Sequence, residues 1–414
     1  MKPLLINSFD NQGGAAIATY RLHCGLRSIG IDSKLLVQNK KSDDKSVIGS
    51  LTKQQKIIAV LRPYIDRFPA TRYRNREQVL FSSAWLPERL ASKVENLNPD
   101  LIHLFWVNGG MLRIETLKKF KQPIIWTLHD MWPFTGGCHY DDECGKFRQA
   151  CGNCPVLHSD NGLDLSQRVL ARKLKSWGSL PIVVVATSNW LADMAKSSSL
   201  FKNQRIEVIP NGIDTERYKP LDKHIAREAY NLPQDKHLIL FSAFNATSDK
   251  RKGNQFLLPA LAKLSRLGWG ADTELVIIGA SKPETAPDLG MTVHYMGQMY
   301  DEISQVLLYS AADVVVAPSM QENLSNTVME SLSCGTPVVA FHIGGMPDMI
   351  EHQINGYLAK PFEANDLAEG IMWVLGNPGR THLLSKQARQ SVLERYALDV
   401  IASNYLSLYQ SVIG

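Results

Sequence analysis

Two glutamates with seven residues between them, Glu322 and Glu330, lie in "PSMQENLSNTVMESLSCGTPVVAFHIGG" (318–345), which reads as a strand end, a turn and a small-residue helix. Carboxylate pairs do several kinds of chemistry, and spacing separates them. Were 322–330 one helix, the two groups would stand about 12 Å apart along its axis. That exceeds the ~5–5.5 Å between the carboxylates of a retaining glycosidase and also the inverting spacing, so these are not two carboxylates flanking one bond. The sequence instead places Glu322 in the loop after "DVVVAPS", starts the helix near Ser325 or Asn326, and puts Glu330 about one turn in. The amides at Asn323, Leu324, Ser325 and Asn326 then form a helix start that favours an anion such as pyrophosphate. This suits an elongated ligand, with a glutamate for hydroxyls at each end and amides for phosphates between. "SLSCG" keeps the helix slim, and Gly335 with Pro337 ends it. A capped surface helix with two solvated glutamates is the plain alternative.

Three further stretches carry chemistry-bearing residues. "FDNQGGAAIATYRL" sets Gly13 and Gly14 between a strand and a helix, where a bare backbone approaches a ligand closely and the helix start favours phosphates. It is not G-x-G-x-x-G and carries no dinucleotide signal. "FNATSDKRKGNQF" (244–256) offers Lys252, and beside it Arg251, before Gly253 at a helix start; a lysine there neutralises leaving-group phosphate without a metal, whereas a solvated basic turn is the alternative. "GGCHYDDECGKFRQACGNCPVL" holds Cys138, Cys144, Cys151 and Cys154 as C-x5-C-x6-C-x2-C. Four thiolates with one C-x2-C pair fit a closed structural zinc site, with His139 as a substitute ligand; free thiols, an iron–sulfur cluster or a disulfide are the alternatives. Cys24 and Cys334 read as small buried side chains.

The elements that position these residues follow from pattern. "PLLINS", "SKLLVQ", "LIHLFWV", "PIIWTLHD" and "PIVVVATS" read as buried strands in the first half, and "HLILFSA", "ELVIIGA", "VHYMG", "DVVVAPS" and "TPVVAF" in the second. Helical patterns lie between them, among them 115–121, 166–177, 253–267 and 302–311, and 383–414 reads as paired terminal helices. Continuous apolar strands alternating with helices imply parallel sheets covered on both faces. At 414 residues, two α/β domains of the Rossmann-like, doubly wound kind are expected. We place them at 1–205, with 395–414 packing back, and at 206–394, joined near "RIEVIPNGID".

More of the chain then bears on function. The glutamate stretch resembles the E-x7-E signature of the retaining GT-B glycosyltransferases of family 4. "VIPNGIDTERYKP" (208–220) is similar to that family's P-N-G-x-D segment. "VMESLSCGTPVVAFHIGGMPDMI" with "NGYLAKPFEANDLA" resembles its nucleotide-site helix and the segment after it, and "VATSNWLADMAK" the end of its first domain. The motifs stand in family order from about residue 5 onward. The resemblance implies a GT-B fold whose two domains face a cleft, with a C-terminal helix returning to the first domain. It implies a nucleotide diphospho-sugar donor, a glycan or lipid-linked acceptor, retention of configuration, and no catalytic metal. Glu330 would meet the ribose, Glu322 the donor sugar, and the Gly13–Gly14 loop the diphosphate and acceptor. His129, in "IIWTLHDMW", would lie near the transferred bond, a structural imidazole being the alternative; His103 follows a similar pattern but fits a core. Relatives pair the lysine with an arginine five or six positions earlier, where this chain has Thr247 and Ala246. A subset in cell-surface polysaccharide synthesis shares "HDMWPFTG-C" and "C-G-N-C-P". A non-catalytic GT-B subunit, a glycan-binding protein and a nucleotide-sugar epimerase are the alternatives.

Charge and composition set the remaining bounds. Apolar residues make up 44% and charged residues 21%, with 45 basic against 40 acidic groups, too mild a balance to indicate nucleic acid. No signal peptide or membrane span is expected, which reads as cytoplasmic. Residues 51–80 hold seven basic groups against Asp66 and Glu77, interleaved with Ile57, Ile58, Leu61, Tyr64, Ile65 and Phe68. They fit an amphipathic helix and loop that either touches anionic lipid at the membrane's inner face or turns its apolar side inward. No nucleic-acid motif accompanies it.

Overall fold

The computed structural model describes residues 1–50, 52–242, 250–283, 287–299 and 301–414. The chain divides into two compact units, Met1–Gly212 with Ile401–Gly414, and Ile213–Val400. Sequence pattern sets the first boundary at 205/206; the strand Ile206–Val208 instead hydrogen-bonds to Ile182–Ala186 and carries the first unit past it.

Among the described residues the first unit's strands are β1 (Pro3–Phe9), β2 (Lys34–Asn39), β3 (Val47–Ile48), β4 (Leu101–Leu104), β5 (Ile124–Leu128), β6 (Ile182–Ala186) and β7 (Ile206–Val208). They form one parallel sheet in the order β3-β2-β1-β4-β5-β6-β7. Strand side chains alternate in direction. Leu4 and Ile6 accordingly join Ile102, Leu104 and Trp126 on one face, while Leu5 joins Leu35, Val37, Leu101 and Ile125 on the other. Both faces are covered, which is why these strands read as unbroken apolar runs.

The terminal helix Leu398–Ile413 closes the second of those faces with Ile401, Tyr405, Leu408 and Tyr409, residues spaced to share one helical stripe. Its polar tips are satisfied. Tyr409 Oη lies 2.7 Å from His103 Nδ1, His103 Nε2 lies 2.7 Å from Thr127 Oγ1, and Thr127 in turn meets Tyr405 Oη at 2.9 Å. Burial, aided by the nearby His129, holds His103 well below the usual imidazole range, so the ring is neutral. His103 is thus a core residue. The pattern at 115–121 is a short 3-10 segment, Ile114–Lys119, rather than an α-helix.

The second unit repeats the plan with β8 (His237–Ser242), β9 (Thr273–Ile278), β10 (Val293–Tyr295), β11 (Val314–Ala317), β12 (Val338–Phe341) and β13 (Gly356–Ala359). Its parallel order is β10-β9-β8-β11-β12-β13. Strand order reverses between β1 and β4 in the first sheet and between β8 and β11 in the second. Loops at the carboxyl ends of such strands splay apart and leave room for a ligand.

Replacing Tyr409 by Phe leaves a ring nitrogen of a fully buried imidazole without its hydroxyl partner. Urea denaturation should register a loss on the order of 1–3 kcal/mol; an unchanged midpoint would contradict the structural role of His103.

Candidate functional site

Two loops leave neighbouring strands of the second sheet, where β11 pairs with β8 through Val314–Ile239 and Val315–Leu240. Their backbones are locked together. Met320 N donates to Arg251 O at 2.7 Å. Gly253 has φ +77°, and a Cβ there would fall 1.7 Å from Pro318 O, so only glycine permits the approach. From this frame Lys252 Nζ donates to Glu322 Oε2 at 2.9 Å, with the side chains 28% and 15% exposed. The far side of the glutamate is held as closely. Gly345 N donates to Glu322 O at 3.2 Å, and Gly344, at φ +50°, sits where a Cβ would be 2.0 Å from that oxygen. Gly344 and Gly345 are therefore the seat of Glu322. Arg251 is exposed, and positions 246 and 247, where relatives carry an arginine, lie outside the described residues.

The helix begins at Asn326 and runs to Ser333, with Ser325 as its N-cap; the Ser325 hydroxyl accepts from Val328 N. The cap satisfies an amide one turn into the helix, at Val328, and not one of the expected anion-site amides at 323–326. Asn323 and Ser325 are buried, while the Leu324 side chain packs into the unit's core, so this leucine can offer a ligand only its backbone. Glu330 is 6% exposed and accepts a hydrogen bond from Tyr309 Oη at 3.1 Å. Burial, together with the Glu330 charge, keeps the Tyr309 phenol far above its usual range, so it stays a donor. Thr336 Oγ1 donates to Tyr309 O at 2.6 Å, and Gly335, at φ +75°, makes the turn that brings Thr336 back. "Cys-Gly-Thr-Pro" therefore fixes the tyrosine that fixes the second glutamate. Nothing local in the sequence marks Tyr309, which lies 21 residues from its partner. Asp214 caps its own turn, accepting from Glu216 N and Arg217 N.

In the first unit Gly13, at φ +89°, precedes the helix Gly14–Ser28 just past β1 and contributes no side-chain cap. His129 follows β5, and its ring stacks on Phe105 at 6.0 Å between centroids. The residue keeps some exposure while its imidazole is enclosed, and burial lowers its pKa to about 4 against the opposing pull of Asp130. Asp130 anchors a cluster that sequence reading passed over. Its carboxylate accepts from His139 Nδ1 (2.6 Å), Trp106 Nε1 (2.9 Å) and Trp132 N (2.9 Å). Burial would raise its pKa, but His139 and these donors outweigh it and keep the group ionised.

The zinc expectation is not met. Among the described residues no three His, Cys, Asp or Glu side chains are arranged to hold a metal ion. His139 uses Nδ1 for Asp130 and Nε2 for Ser82 Oγ. Cys138 and Cys154 pack with Ala70, Phe81, Val156 and Leu157, whereas Cys151 packs against the main core. Cys138, Cys144, Cys151 and Cys154 are all free of disulfides. Burial raises all four thiols, Cys151 to about 12. Close by, the fully buried Lys173 donates to the carbonyls of Trp132 and Thr135 and sits over the Trp132 ring.

The His129 shift has a measurable consequence. An unfolded histidine takes up its proton near pH 6.5, whereas the native ring resists it down to about pH 4. Stability should therefore fall as pH drops from 6.5 toward 4, and His129→Gln should flatten that slope. An NMR titration midpoint for His129 at or above 6.5 would contradict the enclosed ring.

Comparison with known proteins places the chain. The family model described as Glycosyltransferase Family 4 matches residues 12–217, and that described as Glycosyl transferases group 1 matches 236–377. A D-inositol 3-phosphate glycosyltransferase from Saccharomonospora viridis is 27% identical over 50% of this chain and 51% of its own. The putative colanic acid biosynthesis glycosyl transferase WcaC of Escherichia coli is 27% identical over 62% of each chain. The chain spans about half to two thirds of the length of these curated relatives. Anabaena HepE, solved in complex with UDP, shares the fold at a TM-score of 0.66 and 17% identity, over 99% of this chain and 100% of its own. With two Rossmann-like parallel sheets and matches to both models, the chain belongs to the family 4 glycosyltransferases of GT-B fold.

Proposed function

We propose that the protein transfers a sugar, with retention of configuration, from a nucleotide diphospho-sugar to a glycan or lipid-linked acceptor in cell-surface polysaccharide biosynthesis (capsule, exopolysaccharide or O-antigen). The observation that carries this reading is the Lys252–Glu322 pair at the point where the second sheet reverses its strand order. An ammonium and a carboxylate side by side match a ligand that is anionic at one end and rich in hydroxyls at the other. Lys252, with Arg251 beside it, would neutralise the diphosphate as the leaving group gains charge, work that fixed cations do well in a partly dehydrated site. Glu322 would then accept hydrogen bonds from the sugar, and Glu330, oriented by Tyr309, from the ribose. Amides between Asn323 and Asn326 complete the phosphate contacts.

From the first unit we assign the Gly13–Gly14 turn to the diphosphate and acceptor, and a neutral His129 to hydrogen bonding near the transferred bond. No carboxylate is assigned as a nucleophile, so the favoured step is same-face substitution: the leaving phosphate assists the incoming hydroxyl and receives its proton. No metal is assigned to this step. The reading is of a cytoplasmic enzyme; among the described residues no helix is long and apolar enough to cross a membrane. UDP bound to HepE supports the donor class. The name of WcaC supports the pathway class.

Calorimetric titration with UDP, GDP and ADP should give micromolar binding of one nucleotide, lost in Glu330→Ala. Lys252→Ala and Glu322→Ala should each slow transfer by roughly 100-fold or more, the scale of losing one preorganised charge-stabilising contact. Absence of binding to any nucleotide, or near-normal turnover in both variants, would overturn the assignment.

A further inference from the structure

The helix Lys53–Asp66 is amphipathic the wrong way round for a globular surface. Its buried positions are Ala59 and Asp66, and Arg62 reaches inward from the same side to donate to the carbonyls of Gly110 and Pro87. These residues, at i, i+3 and i+7, mark the face that meets the protein. The Asp66 carbonyl accepts from Ser83 Oγ at 3.0 Å on that side. On the opposite face, at i, i+4, i+7 and i+8, stand Ile57, Leu61, Tyr64 and Ile65, flanked by Ile58 and continued by Phe68. Each of these six is between 46% and 70% exposed. The alternative in which the segment turns its apolar side inward is therefore overturned for the helix: the protein holds it through Ala59, Arg62 and Asp66.

Charge says what covers it. Lys53, Lys56, Arg67, Arg72 and Arg74 are exposed around the apolar stripe, and Arg76 is half-buried beside a recess it lines with Arg67 and Gln78. Of the two acidic residues in 53–80, Asp66 is buried and Glu77 is paired with His158. A second copy docked through this face would set the same cations against one another across a two-fold axis, which disfavours self-association. Aliphatic side chains outward, cations at the rim, and Tyr64 with Phe68 at one end of the stripe are the features of a helix lying in the plane of a lipid interface. Trp85, 37% exposed, follows directly on the segment packed beneath the helix and adds an interfacial ring.

We infer that the helix Lys53–Asp66 is a peripheral anchor that inserts its outer face into an anionic lipid surface, with the surrounding lysines and arginines meeting headgroup phosphates. The inference stands on the helix's geometry and does not depend on the transferase reading.

The test is co-sedimentation of the purified full chain with phosphatidylcholine vesicles, with and without phosphatidylglycerol. Partitioning should be about tenfold or more stronger on the anionic vesicles and should weaken with added salt. Leu61→Glu with Ile65→Glu should abolish it. Ile303→Glu, at a still more exposed apolar residue of the second unit, should not. Circular dichroism matching the parent chain confirms that both variants fold. Equal binding to the two vesicle types, no binding to either, or retention by Leu61→Glu/Ile65→Glu would overturn the anchor. So would sedimentation velocity showing a dimer that this double variant converts to monomer, which would assign the face to a second copy.

Discussion

The ion pair between Lys252 and Glu322 is the interaction on which the rest of the site depends. Opposite charges at 2.9 Å attract at any dielectric, but two flexible side chains meet reliably only if their backbones are already fixed. Gly253 pressed against Pro318, the Met320–Arg251 hydrogen bond and the Gly344–Gly345 seat under Glu322 do that fixing. The first two exist because β8 and β11 are sheet neighbours whose loops leave the same end, and the third because β12 is the neighbour of β11 on its other side. A parallel sheet that reverses strand order at this point is therefore the precondition for the chemistry.

The second glutamate is held by a different route. Tyr309 reaches it from the preceding helix, and the tight turn at Gly335 returns Thr336 to grip that tyrosine. One helix, Asn326–Ser333, thus carries a glutamate oriented by a buried phenol, and the loop before it carries a glutamate paired with a lysine. Their environments differ in burial and charge, which suits two hydroxyl-binding roles on one elongated ligand better than one shared role.

Much of this was legible in the sequence because local rules govern it. Buried parallel strands need apolar residues on both faces, so β1, β4, β5, β6, β8, β11 and β12 announced themselves as apolar runs. The cap at Ser325 follows from the same kind of local signal. Short edge strands such as β3 and β7 did not, since two or three residues carry no usable period. The grip of Tyr309 on Glu330, the closeness of Gly344 to Glu322 and the Asp130–His139–Trp106 cluster are contacts between distant parts of the chain. Composition also misled. Of the four cysteines at metal-like spacing, Cys138, Cys151 and Cys154 pack against apolar neighbours, and the helix at 53–66 is held through Ala59, Arg62 and Asp66 with its apolar stripe outward.

The most direct test of the pair is to compare a nucleoside diphosphate with the corresponding nucleotide sugar as ligands, in Lys252→Met and Glu322→Gln. If Lys252 serves the phosphates and Glu322 the sugar, Lys252→Met weakens both ligands. Glu322→Gln then weakens only the nucleotide sugar, leaving the diphosphate as tight as before or tighter, because the lysine has lost its resident partner. Equal weakening of both ligands by Glu322→Gln, or no effect of Lys252→Met on either, would contradict the account.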